Sequence, residues 1–278
     1  MAIAAVCALL LVPLALLPVL IVPALIRGGD ATRYMDDLSG GGVSPATLAY
    51  INLVLGALIL VAFLAIRVAH RLGPRWLSSV RPGLRWRWLR TCLLAAAVVC
   101  LPQFALALGS PNVGSHSVTP AGERLGLILV IALTTPLQAA GEEYFFRGYL
   151  NQALGSLVRR PWFSMLGSSL LFALAHGTQN LPLFVDRFGF GMIAAFLVWR
   201  TGGLEAGIAW HIGNNYAALF YAVSTDRLSE TLKVSSSGWA PVVADLVQLS
   251  IFALAVLWLA RRQQIQRLTD APRRALAG

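Results

Sequence analysis

The stretch that decides the fold is residues 125–150, LGLILVIALTTPLQAAGEEYFFRGYL, in which Glu142, Glu143 and Arg147 interrupt an otherwise apolar helix. An ionised side chain at the centre of a membrane helix costs roughly 2.5–3.5 kcal/mol on insertion scales, so three of them need partners or a polar cavity. Glu143 and Arg147 stand four apart on one helix face, acid before base, the favourable order for a supporting ion pair. Glu142 points about 100° away around the helix and is free to face something else.

Outward from this stretch the chain is membrane-like throughout. It has 278 residues, of which 57% are hydrophobic and 12% charged, with a mean hydropathy of +0.70. A soluble domain carries roughly 25% charged residues, so the composition points to a polytopic, all-α membrane bundle. About 20 apolar residues cross a bilayer, and eight spans are expected, at 3–26, 46–66, 89–108, 125–146, 162–176, 182–199, 204–223 and 241–260. Pro13, Pro18 and Pro23 predict a kinked first span. That span lacks a basic leader and a cleavage site, so it is read as retained and not as a signal peptide.

Arginines set the orientation. Arg67 to Arg90, Arg159 with Arg160, and Arg261 to Arg274 all fall on one side of the expected spans. By the positive-inside bias that side is cytoplasmic, and both termini with it. Among the 22 basic residues only Lys233 is lysine, a compositional bias that suggests a GC-rich bacterium and hence an inner-membrane location. The chain divides into 1–124 (three spans and a basic loop), 125–223 (the polar core) and 224–278 (outer loop, last span and basic tail).

Several features read as structure and not as function. The net charge of +10 belongs to topology, so no nucleic-acid partner is expected. RPGLRWRWLR at 81–90 is read as an interfacial anchor, with its arginines and with Trp86 and Trp88 at the headgroups. Cys7, Cys92 and Cys100 have no metal-ligand spacing and are read as core hydrophobes. Gly40 to Gly42 lacks the lysine of a phosphate-binding loop, and His70 and His116 are read as solvated. Leu228 to Lys233 predicts one short amphipathic turn.

Two further spans carry polar residues in their interiors. FALAHG places Phe172 and His176 four apart, and HIGNN places His211 and Asn215 four apart, each pair on one face. Polar groups within spans face one another or a water-filled cavity, which predicts one cavity shared by Glu142, His176, His211 and Asn215. Such a set suits hydrolysis. A carboxylate drawn out of water serves as general base with a histidine beside it. A second histidine and an amide can stabilise an oxyanion, at about 2.7–4 kcal/mol per donor. Glu142, His176 and His211 equally form a candidate zinc ligand set with an open position.

EEYFFRGYL, FALAHG and HIGNN, in that order on successive segments and joined by GFGMIAAFLVWRTGGL, resemble the CPBP family of intramembrane proteases. That family comprises CAAX prenyl endopeptidases and bacteriocin-processing or immunity proteins, also called the Abi family. The resemblance covers Leu125 to roughly Tyr221. It implies an endopeptidase in which Glu142 and His176 activate water and His211 and Asn215 stabilise the oxyanion. It further implies that Glu143 and Arg147 support the site and that Phe172 packs it. A divalent cofactor such as zinc is left open. The implied partners are the lipid bilayer and a membrane-associated protein or peptide substrate. A membrane transporter and a non-catalytic scaffold are the rival readings. A rhomboid-like GxSG serine motif and an HExxH zinc motif are both absent from the sequence.

One expectation concerns depth. With the fourth span ending near 146, Glu142 would lie close to the cytoplasmic end of its helix, while His176 lies about 21 Å from Pro161 at 1.5 Å per residue. To bring them together, Val158 to Phe163 is expected to sink inward under a funnel that opens to the cytoplasm.

Overall fold

The computed structural model describes residues 15–19, 21–22, 43–108, 119–158 and 160–269. Most of the expected first span lies outside the described residues, as do Cys7, Gly40 to Gly42, His116, Arg159 and the tail beyond 269. The described chain is a helical bundle. It comprises α1 (Pro45–Gly56), α2 (Leu58–Ala65), α3 (Trp86–Leu108), α4 (Ala121–Glu142), α5 (Asn151–Leu157), α6 (Pro161–Ala175), α7 (Leu181–Thr201), α8 (Glu205–Ser224), α9 (Leu228–Leu232) and α10 (Trp239–Arg262). Local sequence fixes several starts. Ser44 caps α1 by accepting from the Thr47 N–H at 3.2 Å, Asn180 caps α7 in the same way from Leu183, and prolines open α1 and α6.

Five helical stretches are long and apolar enough to cross a membrane: Pro45–His70, Trp86–Ala105, Ala121–Leu157, Leu181–Thr201 and Trp239–Arg262. The expected fifth span appears as the apolar 15-residue α6. The seventh appears as α8, 20 residues long with polar residues along its length. Leucines such as Leu60, Leu94, Leu133 and Leu254 are each about two-thirds exposed and face outward. This is an integral membrane protein.

The fourth span differs from expectation in length. A π-helical segment, Glu143–Leu150, follows α4 without a break and runs into α5, so one stretch extends 37 residues from Ala121 to Leu157. Glu142 therefore lies 15 residues before Leu157, and His176 lies 15 residues after Pro161. The two residues thus lie equally many residues from the connecting turn. In the segment expected to sink, Trp162 is 57% and Phe163 46% exposed, so these two side chains are not buried within the bundle.

Gly141 sets the crossing of α4 over α1. A Cβ there would run into the Leu55 carbonyl oxygen and come within 2.9 Å of the Gly56 Cα, so only glycine lets the two backbones approach. The main core packs Trp88, Cys92, Leu197, Leu204, Trp210 and Phe252 between α3, α7, α8 and α10. Trp88 is thus buried in this core and is not an interfacial anchor; Trp86, two positions and about 200° away on α3, is 67% exposed. Cys92 and Cys100 are free, buried thiols. Leu228 to Leu232 forms the expected short turn.

The two ends of the bundle are closed differently. At the arginine-rich end, Val80 N–H donates to Gly202 O at 2.8 Å and Leu204 N–H to Ser78 O at 2.9 Å, tying the basic loop to the α7–α8 turn. At the other end, Asn180 N–H donates to Ser235 O at 2.8 Å and Asn180 Nδ2 to Ser237 O at 2.9 Å.

Candidate active site

Neighbouring positions of the 125–150 stretch converge on His211. Its Nδ1 lies 3.1 Å from Glu143 Oε1, and its Nε2 lies 3.6 Å from Glu142 Oε2. Glu142 thus does not face away from Glu143's partner. The two carboxylates straddle one imidazole, because its nitrogens lie on opposite ring edges and glutamate side chains are long enough to reach both. All three are nearly sealed from solvent, with Glu142 7%, Glu143 0% and His211 5% exposed. Gly207, one helical turn before His211, makes room for this: a Cβ there would lie 2.6 Å from Glu143 Oε2.

Arg147 is fully buried, with Nη1 3.0 Å from Glu143 Oε1. The contact is a charge pair without an aligned hydrogen bond, since none of Nε, Nη1 and Nη2 has an acceptor and Glu143 Oε2 has no donor. The guanidinium instead lies against aromatic faces, its carbon 4.0 Å from the Phe172 ring centre and 5.2 Å from that of Phe190. Phe172 and Phe190 stack at 5.5 Å. Phe190 in turn meets the His211 ring edge-on at 5.0 Å.

A second chain of contacts runs through Gln138, one turn before Glu142. Gln138 Nε2 donates to Glu142 Oε1 at 2.8 Å, and Asn215 Nδ2 donates to Gln138 Oε1 at 2.9 Å. Asn215 is therefore joined to Glu142 through an amide, not directly. His176 closes α6: its Nδ1 donates to the Phe172 carbonyl at 2.8 Å, and its ring packs on Phe172 at 4.7 Å. Because a carbonyl only accepts, Nδ1 carries a proton, and in the neutral ring Nε2 keeps its lone pair. His176 has no nitrogen within 4.0 Å of a Glu142 oxygen, whereas His211 has.

Gln138, Phe172, His176, Phe190, His211 and Asn215 line one cavity of about 390 Å³. Glu142 stands just behind this wall, bonded to Gln138 and in contact with His211. Asp186, Arg187 and Asp245 also line it, as do Thr231, Leu232 and Val234 near the connection between α9 and α10. The cavity therefore reaches toward the arginine-poor end, opposite to the expected funnel. Gln138 and Phe190 were not singled out in the sequence. Gln138 had a visible signal, since Gln138 and Glu142 form a third polar pair at four-residue spacing.

Among the described residues, no three His, Cys, Asp or Glu side chains converge to hold a metal ion. In particular, both His211 nitrogens face carboxylates and His176 stands apart, so Glu142, His176 and His211 do not form a ligand set in this geometry.

Residues 124–217 match the family model of the type II CAAX prenyl endopeptidases, Rce1-like. The chain is also 30% identical over 160 residues to the uncharacterized protein YyaK of Bacillus subtilis (strain 168). That match covers 55% of this chain and 54% of the relative, so it spans about half the length of each. No solved structure matches. The family match begins at the start of α4 and ends two residues after Asn215, taking in the three motifs and the helices that carry them. Over residues 124–217 this membrane protein is therefore similar to the Rce1-like type II CAAX prenyl endopeptidases.

Proposed function

We propose that the chain is an intramembrane endopeptidase that hydrolyses a peptide bond in a membrane-associated protein or peptide. One observation carries the reading: polar side chains from α4, α6 and α8, one motif each, line or back a single cavity inside the spans. A purely structural set would be expected to pair off within the core and enclose no such space.

In the proposed reaction a water held between Glu142 and His176 gives a proton to the Glu142 carboxylate, while the free Nε2 of His176 orients it. The water oxygen bonds to the peptide carbonyl carbon, and the carbonyl electron pair moves onto its oxygen. That oxyanion is met by the His211 Nε2–H, which at 3.6 Å from Glu142 Oε2 is not committed to a hydrogen bond, and by Asn215, whose amide nitrogen has two N–H donors and spends one on Gln138. Collapse breaks the C–N bond, and the proton on Glu142 passes to the leaving amine. Glu143 and Arg147 fix the ring of His211, and Phe172 and Phe190 wall the site.

In this reading the arginine-rich end and both termini are cytoplasmic in a bacterial inner membrane. The cavity, reaching toward the arginine-poor end, then receives its substrate from the outer side.

The test is a comparison of membrane proteomes from cells expressing wild type and Glu142→Gln. Peptides with new ends that appear only with the wild type support the reading, and their sequences define the substrate class. Identical sets of ends across growth conditions, with the variant still rescuing a deletion, would sink it in favour of a scaffold.

A further inference from the structure

A cavity of about 550 Å³, larger than the candidate active-site cavity and sharing no lining residue with it, lies at the arginine-rich end. Arg147, Arg200 and Arg267 stand in its wall, and no carboxylate among the described residues does. Ser79, Asn151 and Gln152 add polar groups, while Trp76 and Trp199 give it an apolar side. Arg147 is paired with Glu143, but among the described residues the other two cations have no counter-charge of their own. Arg85, close by, spends its guanidinium on Glu205 and two carbonyls. Among the described residues, by contrast, neither Arg200 nor Arg267 has a carboxylate oxygen within 4.0 Å. Arg200 Nε is buried without an acceptor, and its guanidinium carbon lies 5.6 Å from the Trp199 ring and 5.9 Å from that of Phe196. Arg200 and Arg267 face this shared space without a carboxylate beside either, and an anion between them relieves their repulsion.

We propose that this cavity binds a phosphate-bearing anion, supplied as a phospholipid headgroup or as free phosphate. Guanidinium forks match phosphate oxygens in spacing and plane. Basic pockets between spanning helices on the cytoplasmic side suit anionic headgroups, and tryptophan settles at headgroup level. The mixed lining favours the lipid source, because a headgroup brings a glycerol and the start of its chains to lie against Trp76 and Trp199. The site is separate from the proposed peptidase cavity, and binding does not depend on catalysis.

The test is thermal unfolding of purified protein in neutral detergent with phosphatidylglycerol, diacylglycerol or inorganic phosphate added. Phosphatidylglycerol at saturating concentration should raise the midpoint of the wild type by about 4 °C, and diacylglycerol should not. The double variant Arg200→Gln/Arg267→Gln should keep the ligand-free midpoint and lose the rise. Inorganic phosphate that gives the same rise and competes with the lipid assigns the site to free phosphate; a rise with the lipid alone assigns it to the headgroup. No rise in the wild type, an equal rise with diacylglycerol, or a full rise in the double variant would overturn the proposal. Should the double variant fail to fold, Arg267→Gln alone, at an exposed residue, must at least halve the rise.

Discussion

Arg85–Glu205 and Arg147–Glu143 are both arginine–glutamate pairs sealed in the bundle, and they are built differently. In the first, Arg85 Nε and Nη2 donate to the two Glu205 oxygens at 2.9 and 2.7 Å, and the Arg85 backbone N–H adds a third bond at 2.9 Å. Nη1 donates to Thr201 O and Gln266 O at 2.9 and 3.0 Å. Glu205 is fully buried and fully used, and the pair fastens α3, the α7–α8 turn and the segment after α10 together. In the second pair the guanidinium leans on two phenylalanine rings, and one Glu143 oxygen serves both Arg147 and His211. Burying charge is repaid only by good geometry and complete hydrogen bonding. The first pair meets that standard and works as a fastener. The second gives up alignment to hold an imidazole beside a cavity, which is the pattern of a site where positioning outranks stability.

The comparison can be broken at four points. Arg85→Ala leaves Glu205 buried without its partner and should cost about 3–5 kcal/mol, read as a large fall in the thermal midpoint in detergent. Arg147→Ala should cost less, about 1–3 kcal/mol, because Glu143 keeps His211, and it should also reduce product formation. Equal losses in these two variants would show that the pairs do the same work. Gln138→Ala cuts the link between Asn215 and Glu142, two hydrogen bonds of about 0.5–1.5 kcal/mol each. A roughly tenfold drop in cleavage rate with a modest midpoint shift is expected, and an unchanged rate would remove Gln138 from the site. The smallest shift in stability belongs to Glu142→Gln, under about 1 kcal/mol, since the amide keeps an oxygen to accept from Gln138.

Much of this was legible from local pattern. Hydropathy located the helices of the second to eighth expected spans to within a few residues, apart from the fourth's C-terminal extension, and four-residue spacing paired Glu143 with Arg147 and Phe172 with His176 and put His211 and Asn215 on one cavity. The lost part of the fourth helix has a physical cause. Glu142, Glu143, Arg147 and the polar run from Asn151 to Ser156 depress the hydropathy, although packing keeps the helix intact to Leu157. The depth mismatch between Glu142 and His176 followed from that truncation alone. Trp88 was misplaced because an arginine–tryptophan run was read as one surface, when alternate positions on a helix face opposite ways. Glu205 lies 120 residues from Arg85, and no local signal joins them. The straddling of His211 by adjacent glutamates also needed the relative placement of α4 and α8, which depends on the approach allowed by Gly207.

The most direct measurement of the central claim follows the attacking water. Membranes holding wild type or Glu142→Gln would be incubated in heavy-oxygen water, and intact cleavage products collected before any digestion. The account predicts new C-terminal carboxylates that carry the heavy oxygen with wild type and their loss with Glu142→Gln, at nearly unchanged thermal stability. Equal labelled products from both proteins would contradict it.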